Sequence, residues 1–130
     1  MKDVSNDTEY QKKDIDFIIT NKDGVEMTVE VKTDYKLNAS GNLFFESTYY
    51  KEWGESPGWY DYCMADYIAF YDVIGNRLYI YDFRNGKDYV RAAAEYRQFY
   101  NRDDMCYRDA YLLPLGLAKK HDLCRVFELA

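Results

Sequence analysis

Three residues whose side chains could act together lie early in the chain. Asp16 falls in Asp14-Ile15-Asp16-Phe17-Ile18-Ile19-Thr20, and Glu30 and Lys32 fall in Val29-Glu30-Val31-Lys32-Thr33-Asp34. On a β-strand, residues two apart project from one face, so Glu30 and Lys32 point together. The turn Asn21-Lys22-Asp23-Gly24 between apolar runs is a hairpin signal, and a hairpin lays the start of its first strand beside the end of its second. Asp16 then meets Glu30 across the pair. Two carboxylates beside an amine suit a hard cation such as Mg²⁺, which takes oxygen ligands and keeps several waters. Such a cation polarises a phosphodiester oxygen and activates a water, which Lys32 could position, or Lys32 could stabilise the pentacovalent phosphate as a point charge. A lysine can also give up a proton when crowded, which an arginine cannot. Glu-x-Lys alone equally describes the solvated face of an ordinary hairpin. The acidic residue at the mouth of the preceding strand, the tight turn and Glu9 just upstream favour the chemical reading.

The elements that must position these residues are legible in outline. Ser5 and Asn6 are helix caps for a short helix from about Asp7 to Lys13. A strand over 14–20 and a returning strand over 25–34 follow. Val25, Met27, Val29 and Val31 line one face of the second, and Glu26, Thr28, Glu30, Lys32 and Asp34 the other. After a polar loop, 43–48 reads as a third strand, and 49–60, with Gly54, Pro57 and Gly58, as a structured loop before a turn of helix near 62–65. A second hairpin joins 67–73 to 77–83 across Gly75-Asn76, and the longest helix is expected over 88–100. The tail is expected to be extended around a short helix. The fold class is mixed α+β or α/β, a central mixed sheet flanked by helices.

Composition bounds the rest. At 130 residues and 18% aromatic, the chain is expected to form a single domain over 1–130 with a sizeable core. No window approaches a membrane helix and the start lacks the apolar run of a signal peptide, so a cytoplasmic protein is expected. The net charge is −6, which argues against avid non-specific nucleic-acid binding. The deficit is uneven: residues 1–84 carry 9 basic and 16 acidic side chains, residues 85–130 carry 8 and 7. A polyanion would therefore be met by the second half, or by metal among the carboxylates of the first. Cys63, Cys106 and Cys124 form no Cys-x-x-Cys pair and His121 is the one histidine, so zinc and Cys/His or Ser/His catalysis are disfavoured and buried free thiols expected.

The stretches around Asp16 and Glu30-Val31-Lys32 resemble the PD-(D/E)xK nuclease superfamily, which includes restriction endonucleases and Holliday-junction resolvases. Ser40-Gly41-Asn42-Leu43-Phe44-Phe45-Glu46 and Met64-Ala65-Asp66-Tyr67 look like phage and bacterial members. The likeness spans about residues 5–83, with Lys13 where the motif's name has Pro. It implies a restriction-endonuclease-like core with a four-stranded mixed sheet, and Mg²⁺ or Mn²⁺ held by Asp16, Glu30 and the carbonyl of Val31. It further implies that Lys32 serves the attacking water and that Glu9 is an additional acidic ligand. Asp14 competes with Asp16 for one role; Asp16, directly before the apolar run, is favoured. Glu46 is a further acidic candidate, with an outward strand position as the plain alternative.

The expected function is metal-dependent hydrolysis of DNA by a Mg²⁺-dependent endodeoxyribonuclease. Lys51, Arg91, Lys119 and Lys120 are candidate nucleic-acid contacts, although basic helix faces are commonly just solvated. The aromatics between 49 and 62 could stack on bases, but such a loop more often packs on its own sheet. The rival reading is an acidic, non-catalytic binding protein that inhibits a nucleic-acid enzyme by presenting carboxylates like phosphates. A protein partner and a homodimer formed through exposed aromatics are further expectations.

Overall fold

The computed structural model describes residues 1–51, 54–102 and 105–129, without the side chains of Tyr49, Lys51 and Asn101. The chain begins with β1 (Lys2–Asp3) and α1 (Thr8–Lys12), capped by Asp7, whose carboxylate accepts from the Glu9 N–H. The hairpin follows as β2 (Phe17–Thr20) and β3 (Glu26–Asp34), in the register Phe17 opposite Val29 and Ile19 opposite Met27. Asn21 closes its turn by accepting at Oδ1 from the N–H groups of Asp23 and Val25.

Next come α2 (Leu37–Ser40), β4 (Asn42–Lys51), β5 (Gly54–Pro57) and α3 (Trp59–Tyr62). The second hairpin is β6 (Tyr67–Asp72) and β7 (Arg77–Asp82), then α4 (Phe83–Ala93). The chain ends with β8 (Glu95–Asn101), β9 (Cys106–Pro114), α5 (Leu115–Lys120) and β10 (Cys124–Glu128). Two sheets result: a mixed sheet in the order β1-β2-β3-β6-β7-β10, and an antiparallel sheet in the order β5-β4-β9-β8. β3 and β6 form a parallel pair within otherwise antiparallel ladders.

The expected mixed α+β class is what the chain adopts, with six strands in the mixed sheet instead of four and a second sheet beside it. Three local readings change. The helix expected over 88–100 begins at Phe83, because Asp82 caps the Asn85 N–H, and ends at Ala93. Residues 95–101 alternate Tyr96, Gln98 and Tyr100 against Arg97 and Phe99, a period of two that seats them as β8 beside β9. The aromatic loop continues β4, adds β5 and forms α3 earlier than expected.

The core lies between the sheets. Ile68, Phe70, Tyr79 and Tyr81 project from the inner face of the mixed sheet, and Leu43, Phe45 and Leu113 from the second. The Phe45 ring is the hub, 5.2 Å from Tyr81, 5.4 Å from Phe70 and 5.5 Å from Trp59 between centroids. Trp59 and Tyr60 are buried, so this part of the aromatic stretch packs on its own fold; Trp53 lies outside the described residues. Cys63 and Cys124 are buried free thiols, whereas Cys106 is half-buried.

Candidate functional site

β3 turns its polar side inward. Glu30, 6% exposed, lies in register with Ile68 of β6, which in turn faces Tyr81 of β7, so the carboxylate belongs to the core face. Lys32 follows on the same face and aims its ammonium back at Glu30, with Nζ 3.3 Å from Oε1. The indole of Trp59 covers Lys32, Nζ lying 4.8 Å from the ring centroid. A solvated polar face is therefore not what this strand presents.

The third member of the group is Asp14, whose Oδ2 is 3.1 Å from Lys32 Nζ. Its position follows from how α1 stops. The Asp14 N–H bonds to the Gln11 carbonyl and the Ile15 N–H to the Tyr10 carbonyl, and Asp14 has φ +56°. This is a Schellman ending with an aspartate where glycine is usual, and Ile15, 4% exposed, supplies its apolar contact. The turn is also held by the residues that follow α3, where the Met64 N–H bonds to the Lys13 carbonyl and the Cys63 thiol donates to the Asp14 carbonyl. Asp14 Oδ2 is buried, with the Lys32 ammonium as its partner.

Asp16 stands across from Glu30 by extension of the β2–β3 register, and cross-strand partners share a face. Its main-chain N–H bonds to the Val29 carbonyl, and its Oδ2 accepts the Val31 N–H at 2.9 Å. Asp16 is thus placed across from Glu30, the Val31 group that it meets is the N–H and not the carbonyl, and the carboxylate at Lys32 is that of Asp14. The preference for Asp16 over Asp14 rested on strand position alone and missed the left-handed turn that swings Asp14 onto Lys32.

The other expected residues lie elsewhere. Glu9 is on the outer side of α1, its side chain 78% exposed and paired at 3.9 Å with Lys13, so it is not placed with Glu30 and Lys32. Glu46 is in the second sheet, on the face opposite Phe45, and pairs with Arg108 at 3.2 Å; it does not join the group. Arg91 lies 6.0 Å over Tyr60, beside Trp59 in α3. Lys119 lies 5.8 Å over Tyr79, two strands from Lys32 on the same sheet face, and Lys120 is exposed next to it. The side chain of Lys51 is outside the described residues.

The electrostatics follow from crowding. Burial, with Asp14 and Asp16 adding their charge, pushes the Glu30 carboxyl up to about 8 against the pull of Lys32. For Lys32, burial favours the neutral amine, but Asp14 and Glu30 outweigh it and hold the group above its ordinary value. Lys32 is therefore an ammonium, suited to act as a fixed point charge and not as a base. Burial raises the neighbouring Cys63 thiol to about 12, so it is an inert wall.

The sequence offers Trp59 only for stacking on bases or for packing and Cys63 only as a buried thiol, whereas Trp59 covers Lys32 and the Cys63 thiol bonds to the Asp14 carbonyl. The signal available was the cluster Gly58-Trp59-Tyr60 and Cys63 before β6, which composition alone reads as packing. Comparison with protein-family models, curated proteins and solved structures finds no match.

Proposed function

We propose that the protein is a metal-dependent nuclease, hydrolysing phosphodiester bonds of DNA at the group formed by Asp14, Asp16, Glu30 and Lys32, in the manner of the PD-(D/E)xK superfamily. The single observation that carries this reading is the convergence of Asp14 and Glu30 on Lys32, at 3.1 and 3.3 Å, with Asp16 across the strand pair. Two carboxylates on one amine, with the charge of Asp16 also felt by Glu30, leave more negative charge than the amine neutralises, in a setting where Glu30 already retains its proton up to about 8. That imbalance suits a hard divalent cation.

Among the described residues, no three His, Cys, Asp or Glu side chains already form a ready-made metal-binding group. The donor chemistry nevertheless fits Mg²⁺ or Mn²⁺, with Asp14, Asp16, Glu30 and the Val31 carbonyl as the ligands available. When bound, the cation would supply Lewis-acid polarisation of the phosphate and a water of lowered pKa. Glu30 must lose its proton to act as a ligand. Lys32, steadied by Trp59, supplies positive charge toward the developing phosphorane. Asp16, by holding the Val31 N–H, fixes the β3 backbone that carries both Glu30 and Lys32. Arg91, Lys119 and Lys120 are the described candidates for backbone phosphates.

The rival inhibitor reading needs its carboxylates at the surface. Glu30 is buried and so is not itself presented to a target, which suits this group to hydrolysis better than to mimicry. The test is incubation of the protein with plasmid, branched and single-stranded DNA in Mg²⁺ or Mn²⁺. Cutting is expected, and Glu30→Ala and Lys32→Ala are each expected to lower it by about 10²-fold or more. Cutting retained by both variants would remove these residues from the mechanism.

A further inference from the structure

Beyond Lys32 the inner face of the mixed sheet carries a second set of charged groups. The registers place Asp34, Asp72, Arg77 and Glu128 in one row across β3, β6, β7 and β10. Residues in register on adjacent strands share a face, so three carboxylates and one guanidinium stand side by side at this end of the sheet. Arg77 pairs with Glu128, Nε lying 2.8 Å from Oε1. Asp34 and Asp72, neighbours in the row, have no ion-pair partner among the described residues.

Asp72 is fully buried. Its Oδ1 accepts the Gly75 N–H at 3.0 Å, closing the turn from β6 to β7, whereas its Oδ2 is buried and accepts no hydrogen bond. A buried carboxylate is costly unless it is paired or coordinates a metal. Oδ2 is aimed at Gly75 and Asn38. A Cβ on Gly75 would stand 2.3 Å from it and 3.1 Å from Asn38 Oδ1, so both oxygens border one point that only glycine leaves free of a side chain. Asp34 sets the approach of Asn38. Its Oδ1 accepts the N–H groups of Lys36 and Leu37 at 2.8 and 2.9 Å, which starts α2, and Leu37, 1% exposed, anchors that helix on the core. Asn38 comes next along α2 and is exposed, so the group is reached from solvent.

We propose that Asp72, Asn38 and Asp34 bind a Ca²⁺ ion that clips α2 to the turn between β6 and β7. The donors are two carboxylates and an amide carbonyl, all hard oxygens, which suit Ca²⁺ and exclude the softer transition metals. Ca²⁺ accepts irregular shells of about six to eight oxygens, with water completing the side open at Asn38, whereas Mg²⁺ demands a near-ideal octahedron. The ion supplies the positive charge that Asp34 and Asp72 lack, since Arg77 is taken by Glu128. It also gives the buried Oδ2 of Asp72 the partner that the protein itself does not provide. The site does not rest on the nuclease reading, because it shares no residue with the Asp14, Asp16, Glu30 and Lys32 group.

The test is isothermal titration calorimetry of the full chain with Ca²⁺ alone, with NMR spectra of the same samples. Heat of binding is expected, and the Gly75 main-chain amide and the Asn38 side-chain amide should shift together as the ion is added. Asp72→Asn, which keeps the shape without the charge, and Asn38→Ala, at an exposed position, should each weaken binding about tenfold or more. Circular dichroism establishes that each variant is folded, and Asn38→Ala decides alone if Asp72→Asn is not. A wild-type chain that takes up no Ca²⁺, its Asn38 side-chain amide donating to Asp72 instead, overturns the proposal. Uptake that Glu30→Gln abolishes and Asn38→Ala spares belongs to the other group, and it overturns the proposal too.

Discussion

Asp14, before β2, and Lys32, near the end of β3, meet at 3.1 Å at the open end of the hairpin, although Asp14 occupies a left-handed turn that glycine would fill more easily. An aspartate in that conformation costs about 1 kcal/mol relative to glycine. It also adds a third carboxylate to a group with one cation. Asp14→Gly is therefore expected to change global stability by less than about 1 kcal/mol, in contrast to most losses of a buried ion-pair partner. Activity should fall about 10²-fold, and the Glu30 carboxyl should move down from about 8 toward its ordinary 4.5. Urea unfolding, plasmid cutting and NMR titration of the glutamate read the three outcomes. A large stability loss would mean that Asp14 is chiefly a structural partner of Lys32.

Glu30 makes stability depend on pH in a stated direction. Its carboxyl rises from 4.5 to about 8 on folding, chiefly by burial. The folded state thus binds the proton more tightly than the unfolded one. The stabilising contribution is fully present below about 4.5 and is lost as pH rises through about 8. Glu30→Gln keeps the shape without the charge, so its melting temperature should exceed wild type at alkaline pH. The gain is expected to be on the order of 2 kcal/mol, fading toward pH 4.5. Added Mg²⁺ should stabilise wild type increasingly as pH rises through this range and leave Glu30→Gln little changed, because ligation requires the carboxylate. Thermal unfolding of both proteins across the range, with and without the ion, decides it; equal pH profiles would mean that Glu30 does not titrate there.

The place of α3 rests on Gly58. A Cβ at this residue would collide with the Glu46 carbonyl and the Ser47 main chain, so only glycine lets α3 lie against β4 with Trp59 over Lys32. Gly58→Ala is expected to cost about 1–3 kcal/mol by forcing the helix outward. Trp59→Phe keeps a ring near the ammonium and should cost less than Trp59→Ala, for which about 3–5 kcal/mol is expected. Tryptophan fluorescence on Gly58→Ala should shift toward that of a solvated indole. An unshifted spectrum with unchanged stability would show that α3 does not need this approach.

The parts of the fold written in local pattern were legible. The Asn21–Gly24 turn and the alternation of β3 specify a hairpin by themselves, and the hairpin alone brings Asp16 beside Glu30. What was not legible depends on partners distant in sequence. Strand β8 has a period of two, but Asp88 to Tyr100 also offers helix formers, and only pairing with β9 decides between them. Glu46 could be either a further acidic group or an outward strand residue because its strand could not be assigned to a sheet; it belongs to the second sheet and pairs with Arg108. Asp14 was underrated because a left-handed aspartate leaves no mark in hydropathy. That the polar side of β3 faces inward could not be read either, since alternation defines two faces without saying which is covered.

Asp109 offers a test far from the candidate site. It is 4% exposed and lies on β9, where it accepts from the Tyr50 hydroxyl at 2.7 Å, from Gln98 Nε2 at 3.2 Å and from the Tyr96 hydroxyl. These three donors join β4, β8 and β9 through one carboxylate. Asp109→Ala removes that shared acceptor, but the exposed Tyr96 can turn to water, so about 1 kcal/mol of stability should be lost. The hydrogen bond to Asp109 is also the main reason that the Tyr96 phenol titrates above its ordinary 10, so in the variant it should ionise at lower pH. Because a raised phenol pKa stabilises the fold below 10 and ceases to do so as the phenol ionises, wild type and variant should converge in stability at strongly alkaline pH. Tyrosinate absorbance during alkaline titration, followed beside urea unfolding, measures both effects. DNA cutting should be unaffected, since no member of the Asp14, Asp16, Glu30 and Lys32 group touches this carboxylate; a matching loss of cutting would mean that the second sheet helps to form the active surface.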